Sequence, residues 1–271
     1  MSGAGDPMRD LVFVLAVEAA VVAAAMAVTA YAARRAGRYS VVDTTWGLAL
    51  AAVAVVAAVA GGVLDTGQPW RSWLLVALVA IWGGRLSWHM HRRNAGHGED
   101  PRYAAMLEGT SPAQRALKVW VTQGAAVLLV GLPATVASVT TGGWLPWVPL
   151  GVAIWLLGVA FEAVGDAQLA RFKADPANRG KIMDRGLWSW TRHPNYFGDA
   201  CVWWGIWLVS LTTGWSLLTV VAPIAMTYFL VFATGARLLE QHMADRPGWA
   251  EYAARTSMFV PRPPRRRQSS R

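Results

Sequence analysis

The run Arg192-His193-Pro194-Asn195-Tyr196-Phe197-Gly198-Asp199 gathers two potential cations, an amide, a phenol and a carboxylate where a polar loop enters an apolar segment. A charge held near a hydrocarbon core is costly unless it lines a pocket or meets a partner, so this octet is the first candidate site. With Pro194 in the first turn of a helix, Asn195, Asp199 and Trp203 recur every four residues and share one face. Arg192 and His193 then precede the helix start, where unpaired N–H groups and the helix dipole favour an anion. Arginine for phosphate, Asn and Asp for hydroxyl or amide groups, and aromatics such as Tyr196 for ring stacking make the chemistry of nucleotide binding. The competing account is an Arg192–Asp199 pair that only closes the helix start. Lys181, Asp184 and Arg185 supply more polar groups than such a cap requires.

Two further constellations lie upstream. Asp43 opens an apolar stretch as Val42-Asp43-Thr44-Thr45-Trp46-Gly47. Arg85, His89 and Arg92, spaced by four and three, form one polar stripe on a helix, followed by Gly98-Glu99-Asp100-Pro101-Arg102-Tyr103. Asp43, His89 and Tyr103 near a membrane surface are candidates to orient or protonate a lipid-like substrate; an Asp43–Arg85 bridge between helices is the alternative. Glu162 and Asp166, four apart, face the same way and repel unless a cation or a retained proton intervenes. They either order the arginines of the polar pocket or form a partly solvated helix end. His89 and His91 point about 200° apart on a helix, so no metal site is expected there. No Gly-rich phosphate loop, GxSxG or HExxH stands in the sequence, so a dinucleotide would have to bind within a helical bundle rather than a Rossmann domain.

Seven apolar stretches must position these groups: Leu11–Ala33, Val41–Leu64, Trp73–Trp88, Val119–Val139, Leu145–Phe161, Tyr196–Leu211 and Trp215–Ala233. Most run about 17–23 residues, the length a helix needs to cross a bilayer core. Segments such as Leu48–Val63 are apolar all round, unlike the helices of a soluble core. The expected fold is all-α: a polytopic membrane protein with a bundle of about seven transmembrane helices.

The basic residues give the orientation. Apart from Arg9, Arg71 and Arg85, they fall in four regions: Arg34, Arg35 and Arg38; Arg92, Arg93, Arg102, Arg115 and Lys118; Arg171, Lys173, Arg179, Lys181, Arg185 and Arg192; and the arginines from Arg237 to Arg271. The intervening turns are almost uncharged. This alternation places the N-terminus outside and the C-terminus in the cytoplasm. The formal net charge of +9 then reads as loop bias and attraction to anionic membrane lipids, with no nucleic acid as partner. Residues 1–261 are expected to form a single integral-membrane domain and 262–271 a basic, disordered cytoplasmic tail. Cys201, among Trp and Val, has no partner for a disulfide.

The run Gly186-Leu187-Trp188-Ser189-Trp190-Thr191-Arg192-His193-Pro194-Asn195-Tyr196-Phe197-Gly198-Asp199, with Trp203-Trp204-Gly205 beyond it, resembles the C-terminal part of the steroid 5-alpha-reductase superfamily. More narrowly it is similar to the bacterial branch classed as domain-of-unknown-function family 1295. Asp43-x-x-Trp46-Gly47, Arg85-Leu86, Glu99-Asp100-Pro101-Arg102-Tyr103, Gln123, Glu162-x-x-x-Asp166-x-Gln168, Phe172-Lys173, Leu238-Leu239-Glu240, Trp249-x-x-Tyr252 and Thr256-Ser257-x-Phe259-x-Pro261 carry the likeness over residues 40–261. The resemblance implies a membrane enzyme of the bacterial inner membrane, with a cytoplasmic active face. It implies that NADPH reduces a polarised carbon–carbon double bond in a steroid or isoprenoid-like lipid drawn from the bilayer. Asn195 and Asp199 match the element that contacts the cofactor. Lys181, Arg185 and Arg192 match its cationic phosphate side, joined by His193, Tyr196, Arg237 and Glu240. Where the reductases use a Glu–Tyr pair to polarise the enone, the resemblance sets Asp43 in place of the Glu; the Tyr position falls near Trp88 or His89, with Tyr103 as another donor. The same Arg-His-Pro-x-Tyr core occurs in isoprenylcysteine carboxyl methyltransferases, so an S-adenosylmethionine-dependent lipid methyltransferase is the alternative.

Overall fold

The computed structural model describes residues 6–143, 146–233 and 235–264; the expected basic tail lies mostly outside them, from Arg265 onward. Among the described residues the chain is helical, with no strand. Six helices are long and apolar enough to cross a membrane: Pro7–Ala36, Val41–Val63, Pro69–Asn94, Pro112–Val139, Trp147–Ala174 and Gly214–Met243. The remaining expected span, Tyr196–Leu211, falls on the helix Pro194–Ser210, which is only 17 residues long.

Local sequence sets the helix starts. Asp6 caps α1 (Pro7–Ala36), its side chain accepting from the Met8 amide at 3.0 Å with Pro7 in the first turn. Asp100 does the same for α4 (Pro101–Leu107) through the Arg102 amide. Ser111 and Gln114 exchange bonds in a capping box that opens α5 (Pro112–Ala116). An acceptor before the helix and a proline inside it satisfy or remove donors that would otherwise be orphaned. Ser40, the cap residue of α2 (Val41–Val63), has no side-chain bond of its own. Glu99 supplies one from a distance, taking the Tyr39 amide and, at 3.0 Å, the Ser40 amide.

The chain divides into two compact units. One holds the residues up to Pro149 with Ile206–Ala222; the other holds Leu150–Gly205 and the chain from Pro223 onward. In the first, α1, α2, α3 (Pro69–Asn94) and α6 (Thr122–Val139) pack together. The α2–α3 crossing turns on Gly47 and Gly83: a methyl on either would strike the other's backbone, so only glycine permits the approach. Two ionisable groups are fully buried there. Glu18 of α1 accepts from Thr135 Oγ1 at 3.0 Å. Arg71, outside the basic loops in sequence, gives its Nε to Gln68 at 3.1 Å and its Nη1 to the carbonyls of Val209 and Leu211. It therefore ties down carbonyls just before a turn and marks no loop.

In the second unit α7 (Trp147–Ala174) and α8 (Pro194–Ser210) cross where Gly158 meets Gly198. A Cβ on Gly198 would lie 2.5 Å from the Gly158 carbonyl oxygen. Beyond α9 (Gly214–Leu217) and α10 (Val221–Tyr228) come two short helices, α11 (Ala236–Met243) and α12 (Trp249–Arg255). Cys201, on α8, is half-buried.

Candidate functional site

In the first unit the Tyr103 hydroxyl donates to Oδ1 of Asp43 at 2.6 Å. Asp43 sits in the first turn of α2 and Tyr103 in the first turn of α4, each helix having brought its polar start to the same place. Arg102 approaches the other carboxylate oxygen at 3.4 Å. Asp100 holds Arg102 in turn, through Nη2 at 2.8 Å and Nε at 3.0 Å. Burial works against charge on Asp100, but the hydrogen bonds and positive charge of Arg102 outweigh it and hold this carboxyl below its ordinary range. Tyr103 is buried; burial, then the charge of Asp43, drive its phenol far above the usual tyrosine value. The phenol is thus a neutral hydrogen-bond donor at every working pH.

Sequence had grouped Asp43, His89 and Tyr103, and the structure joins the first and last. Ser87 lies four residues beyond Gly83, so it faces α2. His89, two positions further, is about 200° round the helix, with Arg85 and away from that crossing. Of the three expected residues, Asp43 and Tyr103 are joined directly, and Arg102 with Asp100 braces them. Both braces stood in the Glu99–Tyr103 motif; an acid and a base either side of Pro101 were the signal.

In the second unit the octet is built as a clamp. Arg192 Nε and Nη2 grip the two oxygens of Glu240 at 2.7 and 3.1 Å, and Nη1 donates to the carbonyls of Ala253 and Thr256 at 2.7 Å each. Of its five N–H donors one is left over. His193 Nε2 is 3.1 Å from Glu240, and its ring stacks on Tyr196 with centroids 5.6 Å apart. Before α8, Glu240 thus lies against both Arg192 and His193. Arg192, His193 and Glu240, expected to contact a cofactor, chiefly hold one another. Arg192 spends its bonds on Glu240, Ala253 and Thr256, not on Asp199 as the competing account has it.

Around the clamp, Gln168 of α7 accepts from the Leu187 amide at 3.0 Å, and Trp188 donates to the Gly165 carbonyl at 3.0 Å. Tyr252 of α12 donates to the Trp188 carbonyl at 2.6 Å, and burial pushes its phenol upward. Thr191 pairs with Ser257 as an isolated bridge, and its hydroxyl reaches the carbonyls of Met258 and Phe259. This is the physical content of the Thr256-Ser257-x-Phe259 pattern: it straps the loop before α8. Asn195 donates to Asp166 at 3.2 Å and accepts from the Tyr196 amide at 3.1 Å, while Asp199 is buried. Lys181, Arg185 and Arg237 remain exposed, Arg237 lying over the Phe232 ring at 5.4 Å.

Residues 30–256 match the family described as protein of unknown function (DUF1295). The chain belongs to this family. The matched stretch takes in Asp43, Tyr103 and the clamp alike, so both networks are inside the family region. No curated protein and no solved structure matches the chain.

Proposed function

We propose that this DUF1295 protein is an integral-membrane reductase of the steroid 5-alpha-reductase type. In this reading it uses NADPH to saturate a polarised carbon–carbon double bond in a steroid or isoprenoid-like lipid of the bacterial inner membrane. The observation that carries the reading is the Asp43–Tyr103 hydrogen bond braced by Arg102 and Asp100. A neutral phenol backed by a carboxyl is an electrophilic group suited to a carbonyl oxygen on which charge develops. With a proton on Asp43, the carboxyl O–H turns to the phenol oxygen and the phenol hydrogen turns to the substrate. Asp43 thus positions Tyr103 and resupplies it, and Arg102 with Asp100 fixes the carboxyl.

The second unit's donor set fits a phosphorylated nucleotide. Lys181, Arg185 and Arg237 are exposed cations for phosphate. Asn195 and Asp199 suit hydroxyl or amide groups, and the clamp fixes the loop that leads into them. NADPH, when bound, supplies the hydride. The finer topology belongs to the same proposal: Pro194–Ser210 is the seventh span, the N-terminus is outside, and the basic loops and the C-terminus are cytoplasmic.

The test is made on the purified full chain in detergent. NADPH should raise the melting temperature, S-adenosylmethionine should not, and a lipid enone should then drive loss of nicotinamide absorbance. Stabilisation by S-adenosylmethionine alone would replace the reductase with the methyltransferase.

A further inference from the structure

Glu18 is the one charged residue of the apolar stretch Leu11–Ala33, and it is fully buried. It shares the inward stripe of α1 with Val14 and Val22, one turn to either side. Asp10, two turns nearer the start of α1, has Arg9 at 3.8 Å; Glu18 has a hydroxyl instead. Among the described residues its hydrogen-bond partner is Thr135 of α6, whose Oγ1 lies 3.0 Å from each carboxyl oxygen and 3.3 Å from the Gly131 carbonyl oxygen. No cation of the neighbouring elements is placed to reach it. α2 and α6, which pack against α1, hold no Lys, Arg or His. Lys118, in the π turn that also touches α1, is exposed and donates to the Met106 carbonyl. It lies about 25 Å along the helix from Thr135. Asp43, the acid of α2, is two residues from Thr45, which bonds Thr29 about 16 Å along α1 from Glu18.

A threonine hydroxyl carries one hydrogen. Were Glu18 a carboxylate, three acceptor oxygens would compete for that hydrogen. A charge would also sit in an apolar core without a counter-ion, where such groups are costly. One added proton resolves both. The carboxyl O–H donates to Thr135 Oγ1, and Thr135 turns its own hydrogen to the Gly131 carbonyl, so each hydrogen has one acceptor. We propose that Glu18 is a proton-binding site, and that α1 docks on α6 with the proton in place. A glutamate in water is ionised at neutral pH, so docking takes up one proton and raising the pH works against it. Glu18 precedes the family-matched stretch, residues 30–256, whereas Thr135 lies inside it. The proton therefore joins the leading helix to the family region. The proposal needs neither the reductase reading nor a cofactor.

The experiment uses the full chain in detergent at neutral pH, prepared with carboxyl-labelled glutamate, and records infrared differences between wild type and variants. Wild type should show the carbonyl band of a protonated carboxyl, moved by the label and lost in Glu18→Gln. In Thr135→Val the band should rise in frequency as its hydrogen bond is removed. Glu18→Gln, whose neutral amide still donates to Thr135, also gives a second measurement. From neutral to alkaline pH the wild-type melting temperature should fall more steeply than that of Glu18→Gln. The groups that the two chains share titrate alike, and only wild type has a proton to lose at this position. Absence of the band in wild type shows a carboxylate and overturns the proposal. A band of unchanged frequency in Thr135→Val removes Thr135 from the site, and parallel melting curves remove the coupling of proton to docking; either result overturns it too.

Discussion

Tyr103 and Asp43, sixty residues apart in the chain, share a 2.6 Å hydrogen bond at the starts of two different helices. Each helix start is separately stabilised: Asp100 caps α4, and the neighbouring Glu99 caps α2. One five-residue motif, Glu99–Tyr103, therefore anchors both ends of the bond. It closes the α1–α2 turn, begins α4, steadies Arg102 and delivers the phenol. A change anywhere in it should be felt at Asp43.

Tyr103→Phe removes one hydroxyl and keeps the ring. Asp43 then loses its short bond and keeps only Arg102, which should cost about 1–3 kcal/mol of stability, as for a buried acceptor left short of a donor. Reductase turnover should fall roughly 10²–10⁴-fold, the span of a general acid, with NADPH affinity unchanged. Denaturant titration and steady-state kinetics check the two halves. Full turnover in the variant would place the acid elsewhere.

Asp100 gives the first unit an acid limb. Its folded-state carboxyl titrates below the ordinary value near 3.8, because the bonds and charge of Arg102 outweigh burial. A group depressed in the folded state contributes stability that is fully present above its unfolded value and is lost as pH falls through the folded one. Between neutrality and about pH 5 the contribution should be flat, and below the unfolded value it should decline. Asp100→Asn should lower stability at pH 7 and flatten the decline at low pH. Melting temperatures from pH 7 to pH 3 measure it; parallel curves for wild type and variant would exclude the Asp100–Arg102 coupling.

Six apolar spans and the proline-opened helices are legible, because each is written within one local stretch. Pro194 does begin α8, as its position predicts. Partnerships were another matter. Glu240 is 48 residues from Arg192, and Thr135 is 117 from Glu18. Spacing along a helix says which residues share a face but not which face meets which neighbour. The Arg192–Glu240 pair is therefore a contact that spacing alone does not reveal. Glu18 was overlooked, although a lone acid within the apolar stretch Leu11–Ala33 was itself a signal.

Orientation can be read directly. A reporter fused after Arg271 should be cytoplasmic and one inserted at Gly142-Gly143 should be external, since the basic loops alternate with nearly uncharged turns. Activity of a paired cytoplasmic and periplasmic reporter at each site gives the answer. Both sites on one side would exclude an odd number of spans between them, and with it the proposed helix order.

The clamp and the exposed cations should separate on mutation. Arg192 is only 11% exposed in its side chain and bonds a carboxylate and two carbonyls. Arg192→Ala would leave Glu240 with His193 alone and orphan both carbonyls. Breaking one side of such a pair costs about 3–5 kcal/mol, so the loop before α8 should loosen and the melting temperature drop. Arg192→Lys should recover only part of this, because an ammonium cannot span both oxygens of Glu240. Lys181→Ala and Arg185→Ala, at exposed positions, should leave stability within about 0.5 kcal/mol. Each should instead weaken NADPH binding roughly tenfold, about 1.4 kcal/mol. The two classes are distinguished by measuring melting temperature and NADPH affinity on the same samples. If Arg192→Ala keeps its melting temperature and loses only NADPH, the arginine binds phosphate and the clamp is secondary. If Lys181 and Arg185 can both be removed without effect on affinity, the phosphate side lies elsewhere in the second unit, and Arg237→Ala becomes the variant that decides it.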